Sequence, residues 1–112
     1  MFYAQNMEIR VLEELTNFSP EKMQKIPVFD SPYMFYDLYT LLPGQMQKVH
    51  THENSDKVYL VLGGEVRVQV GEEQATLTSG QAVKAPAGKQ HGVWNASEKP
   101  AVLLVVMAPK PV

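Results

Sequence analysis

The chain has 112 residues, is 45% apolar and 20% charged, carries a formal net charge of -2 and contains no cysteine. That length suits one domain with one core, and the scattered lysines and arginines lack the basic stripe that a nucleic-acid backbone requires. Disulfides, thiolate nucleophiles and Cys-ligated zinc or iron-sulfur sites are excluded together.

In chain order, MFYAQNMEIR lacks the basic and apolar regions of an export signal, so a cytoplasmic protein is expected and the sequon Asn95-Ala96-Ser97 is incidental. Alternation in EIRVL predicts a strand followed by a helical turn. SPEKMQKIPVFDSP, broken by Pro20, Pro27 and Pro32, reads as loop with one short helical turn at Glu21 to Gln24. Residues 1–32 are therefore expected to form an N-terminal strand or arm on a barrel core of residues 33–108, within one domain of residues 1–112.

From Tyr33 the pattern is a series of short strands: MFYDLYTLL (34–42), QMQKVHTH (45–52), KVYLVLG (57–63), EVRVQV (65–70), QATLT (74–78), QAVKA (81–85), HGVWN (91–95) and AVLLVVMA (101–108). Strands of this length, with turn residues about every ten positions, predict an all-β sandwich or barrel. The last run is also the longest apolar one and is far short of the roughly 20 residues that span a bilayer, so no membrane partner is expected.

The chain has three histidines, His50, His52 and His91. Two positions apart on a predicted strand, His50 and His52 leave the same face and can converge on one point. Imidazoles so placed suit zinc, copper, nickel or ferrous iron, and a third from another strand would complete one face of a coordination sphere. Strand parity places Met46 and Lys48 on the face of His50, Tyr59 and Val61 on that of Lys57, and Val93 and Asn95 on that of His91. These are candidate pocket residues, and Lys48 is costly to bury without an anion. Tyr33, Phe35, Tyr36, Tyr39 and Trp94 read as packing or interface residues. No elbow motif supports a serine nucleophile, Glu13-Glu14 and Glu72-Glu73 look solvent-facing, and no glycine loop precedes a helix to cradle phosphate.

Gly44, His50, His52 and Gly64, followed by Gly80, Pro86, Gly88, His91 and Asn95, resemble the two motifs of the cupin superfamily, G(X)5HXH(X)3,4E(X)6G and G(X)5PXG(X)2H(X)3N. The second is met in full. The resemblance implies a single-domain jelly-roll β-barrel with a divalent transition metal (Fe, Mn, Zn, Ni or Cu) on His50, His52 and His91. It also implies a homodimer, for which the apolar chain ends are suitable.

No glutamate stands at the fourth-ligand position of the first motif. Counting back from Gly64 gives Lys57, and counting back from Gly63 gives Asp56; Gly64 reads more naturally as the turn glycine. A protonated lysine has no lone pair for a metal. If Lys57 points inward, the site favours an anion, which the ammonium can hydrogen-bond. If it points outward, it is a solvated lysine beside Asp56. The expected function is therefore metal binding with action on a small anionic or oxygenated molecule, of dioxygenase or isomerase type. The alternative is a non-catalytic module that binds or senses a small ligand, and a barrel without metal competes with both.

Overall fold

A computed structural model describes residues 7–111. One helical turn, α1 (Leu12–Leu15), precedes β1 (Gln24–Phe29), β2 (Phe35–Leu41), β3 (Met46–His50), β4 (Asp56–Gly63), β5 (Glu65–Val70), β6 (Glu73–Thr78), β7 (Ala82–Ala85), β8 (His91–Trp94) and β9 (Ala101–Ala108). The strands pair antiparallel throughout. They build two facing sheets, ordered β1-β2-β9-β4-β7 and β3-β8-β5-β6, which close as a jelly-roll barrel. Among the described residues no helix is long and apolar enough to cross a membrane.

The run AVLLVVMA becomes β9, between β2 and β4 at the centre of the larger sheet. Its inward residues Ala101, Leu103, Val105 and Met107 are buried and those between them are half-buried, because the strand has apolar neighbours on both faces. Residues facing the interior in register with β9 change along the barrel. Leu41 lies beside Ala101, and Tyr39 and Val61 flank Leu103. Asp37 and Tyr59 flank Val105, and Phe35 and Lys57 flank Met107. One end of the barrel is therefore apolar, with Leu41, Val61, Val66, Ala101 and Leu103 at 1% exposure or less. Each buried valine or leucine there contributes about 1.5–3 kcal/mol. The other end is polar and carries the site.

The N-terminal segment differs from the sequence reading. The strand expected in EIRVL (8–12) is not formed: residues 8–11 pair with no described strand and Leu12 already opens the helical turn. The helical turn expected at Glu21 to Gln24 is absent, and Gln24 instead opens β1. Pro27 is tolerated because β1 is an edge strand with a register shift just after it, where a missing N–H breaks no ladder on the open side. The segment after α1 then crosses the outside of the larger sheet. Thr40 donates a 2.7 Å hydrogen bond to the carbonyl of Asn17 there, and both Leu38 and Thr40 are fully buried.

Gly64 carries the chain from one sheet to the other with a φ of +79°, and a Cβ at that position would overlap the carbonyl of Pro100. Backbone strain and a steric clash therefore coincide there. Gly64→Ala is expected to lower unfolding stability by about 1–3 kcal/mol, read from urea denaturation; a loss below about 0.5 kcal/mol, as at an ordinary surface position, would contradict this account.

Candidate metal centre

His50 and His91 are direct cross-strand partners at the polar end of the smaller sheet. Their ring centroids lie 4.4 Å apart, and the His52 ring lies 5.0 Å from His50 and 5.6 Å from His91. One ligand-capable nitrogen from each falls within 4.8 Å of the others, so all three imidazoles face one space. His52 is not on the strand expected to carry it, because β3 stops at His50. A turn holds it instead: the Gly88 N–H donates to the His52 carbonyl at 2.9 Å, and the Ala87 N–H donates to Asp56 Oδ1 at 2.8 Å.

The hydrogen bonds set the tautomers. His50 Nδ1 lies 2.7 Å from the Lys48 carbonyl and His91 Nδ1 lies 3.0 Å from the Lys89 carbonyl. A carbonyl only accepts, so each Nδ1 carries the proton and each Nε2 presents a lone pair. His91 Nε2 is buried without a hydrogen-bond partner among the described residues. Burial holds the pKa of all three histidines below the ordinary range, that of His91 at about 4, which keeps them neutral as metal ligation requires. This donor set fits a borderline dication such as zinc, nickel, copper or ferrous iron.

Lys57 faces the interior and is 1% exposed, whereas Asp56 lies outside, exposed, as the acceptor for the Ala87 turn. The inward position is therefore lysine, with Asp56 one residue out of phase. Lys57 Nζ donates to Gln47 Oε1 at 3.1 Å and lies 3.4 Å from His50 Nε2. It also sits over the rings of Tyr39 and Tyr59, at 5.4 and 5.2 Å. The ion pairs among the described residues, Arg10–Glu8 and Lys110–Asp30, do not include it. Burial lowers its pKa to about 7, with Lys25 adding repulsion and Asp37 partly opposing it. Burial likewise raises the Tyr39 phenol to about 12 and shifts Tyr59 upward.

A pocket of about 430 Å³ opens onto this group, lined by His50, His52 and Lys57 together with Lys25, Asp37 and Gln47. Lys48 lines it as expected while remaining exposed. Met46 does not: it is 51% exposed on the outer face, and Gln47 points inward in its place. The reason is a bulge. His50 pairs with His91 and Gln47 with Val93, so Lys48 and Val49 together oppose Gly92 and side-chain parity reverses between them. A Cβ on Gly92 would come within 3.0 Å of the Val49 side chain, so glycine makes room for the bulge. Gln47 accepts from the Tyr59 hydroxyl and donates to that of Tyr39, both at 3.2 Å.

Tyr59 is a buried member of this network, while Val61 and Val93 belong to the apolar core. Asn95 is fully buried and bonds the carbonyls of Leu41 and Lys99, which ties the β8–β9 turn and leaves the sequon inaccessible. Of the aromatics read as packing residues, Tyr39 and Phe35 line the pocket, and Tyr33 is 79% exposed.

The cupin domain family matches residues 37–107, most of the chain and all three histidines. The chain belongs to the cupin family. The structure of TT1209 from Thermus thermophilus is 64% identical, with a TM-score of 0.92 over 94% of this cupin and 100% of that chain. An uncharacterized protein of Streptomyces coelicolor is 34% identical over 77 residues, covering 69% of this chain and 72% of that protein. KdgF from Halomonas sp. superposes with a TM-score of 0.81 over 94% of this chain and 96% of that one at 21% identity, which is a likeness of fold.

Sequence reasoning missed Gln47, Asp37 and Lys25. Asp37 had a visible signal, a carboxylate at the same parity as Phe35, Tyr39 and Leu41; the bulge that turns Gln47 inward and the pairing that brings in Lys25 had none.

The buried ammonium sets the pH response of the metal-free protein. Unfolded, Lys57 holds its proton up to its ordinary 10.5, and folded it releases it near 7, so between these values the unfolded state binds more protons and stability rises with pH. A gain of roughly 2–4 kcal/mol is expected from about pH 7 to about pH 10, and Lys57→Met should flatten it. Denaturant titrations of both proteins across that range measure this, and parallel pH profiles would refute it.

Proposed function

We propose that this cupin holds a divalent transition metal (Fe, Mn, Zn, Ni or Cu) on His50, His52 and His91, and binds a small anionic or oxygenated molecule against it. One observation carries the reading: His91 Nε2 is buried with its lone pair facing the other two imidazoles and no hydrogen-bond partner among the described residues. A buried acceptor left in that state costs about 1–3 kcal/mol, which ligation would remove.

Lys57 makes this an anion site. A carboxylate at its position would cut the charge of a bound dication, whereas three neutral imidazoles leave it whole and the ammonium adds to it. Gln47 and the two tyrosine rings hold Nζ beside His50, where it can donate to a ligand oxyanion. Bound there, the ion would polarise a bidentate oxygen ligand as a Lewis acid and, if iron, copper or nickel, add O2 chemistry of the dioxygenase type.

The same reading includes a homodimer. Met7, Ile9 and Val11 are 50–70% exposed along a segment that pairs with no described strand, and Val58, Leu60, Val102 and Leu104 form a half-buried apolar face on the larger sheet. Light scattering after size exclusion is expected to give twice the chain mass; the monomer mass at micromolar concentration would refute the dimer.

The purified protein is expected to carry about one equivalent of metal by elemental analysis, and His52→Ala less than about a tenth of that, in line with the loss of one of three ligands. Unchanged metal content in the variant would overturn the reading. Oxygen-uptake and isomerisation assays on the loaded protein with diketones, flavonols and phenolics then separate an enzyme from a binding module.

A further inference from the structure

Asp37 is the one carboxylate lining the pocket among the described residues. It lies on the inward face of β2 between Phe35 and Tyr39, paired with Pro27 on the edge strand and with Val105 on β9. The side chain is half-buried, and no hydrogen bond or ion pair to a described residue engages it. Val105 in turn pairs with Tyr59, so Asp37 and the Lys57–Tyr59 strand face the same space across β9, about 10 Å apart at the backbone. A ligand of a few heavy atoms between them touches both.

The charged and titratable groups around Asp37 come from every neighbouring element: Lys25 of β1, Tyr39 of its own strand, Lys48 and His50 of β3, His52 of the turn after it, Lys57 of β4 and Lys110 beyond β9. These lysines draw an anion in, but a ligand arriving fully ionised would meet the Asp37 carboxylate as a like charge. A ligand arriving with a protonated oxygen would not. We propose, resting on the metal-site reading above, that Asp37 is the proton acceptor for a bidentate oxygen ligand that enters protonated, of the α-hydroxycarbonyl or enediol class. The ligand O–H bond breaks, its electron pair stays on the oxygen that faces the histidine cluster and Lys57, and the proton forms a bond to a carboxylate oxygen of Asp37. Burial raises the Asp37 pKa above that of an exposed aspartate, which makes it the better acceptor, while Lys25, Lys110 and Lys57 oppose the shift.

Calorimetry on the zinc-loaded protein tests this, with acetohydroxamic acid as the protonated bidentate probe and acetate as the preformed anion, each in two buffers of different ionisation enthalpy. Wild type is expected to bind acetohydroxamic acid with almost no proton released to buffer, and Asp37→Asn to release about one. Asp37→Ser should behave as Asp37→Asn does, so a folding defect in one variant leaves the other to report. Acetate binding should release none in any of the three proteins. Release of a proton by wild type, or its retention by both variants, overturns the assignment of Asp37 while leaving the metal-anion site intact. Failure of the zinc-loaded protein to bind either probe overturns that site and this proposal together.

Discussion

The polar end of this barrel is organised around a buried lysine that has no carboxylate in ion-pair contact among the described residues, Asp37 acting on it only across the pocket. Removing a charge from water without a counter-charge is among the most costly arrangements a small domain can adopt. Lys57 tolerates it through partial substitutes: the amide oxygen of Gln47, the lone pair of His50 and the faces of two tyrosines. Each recovers a fraction of the lost hydration. Their combined inadequacy shows as a pKa near 7, and on the proposed reading a ligand anion would complete the set.

The same lysine distinguishes this site from the usual cupin pattern. With glutamate, a barrel of this kind would offer a metal three imidazoles and a negative charge. Here it offers three imidazoles and a positive one, which competes with the ion for His50 Nε2. On the proposed metal-site reading, this pattern would weaken the hold on a bare cation and strengthen the hold on a cation that arrives with, or acquires, an anionic ligand. Metal and ligand are therefore expected to be coupled in this protein more tightly than in a four-ligand site.

Two local devices position the donors, and both depend on glycine. The bulge opposite Gly92 turns Gln47 inward and aligns His50 with His91. The turn at Pro86-Ala87-Gly88 reaches back to Asp56 and the His52 carbonyl, and so holds a histidine that no strand carries. Asp56 thus acts on the site from outside it, as an anchor for the turn.

Much of the fold was legible in the chain itself. Alternation and turn residues marked eight of the strands close to their observed limits, because burial on one face enforces a period of two. The three histidines and the glycine-proline spacing likewise pointed to the histidine cluster that the fold brings together and to the family. What the chain alone left open were consequences of pairing. β1 was hidden because proline reads as loop unless its strand is known to lie at an edge. The exchange of Met46 for Gln47 was hidden because a bulge is defined by the partner strand and reverses parity without leaving a mark in its own residues. Whether Lys57 or Asp56 faced inward, and that Asp37 and Lys25 share its pocket, was decided only when β2, β9 and β4 came into register, since neighbours across a sheet lie tens of residues apart in sequence.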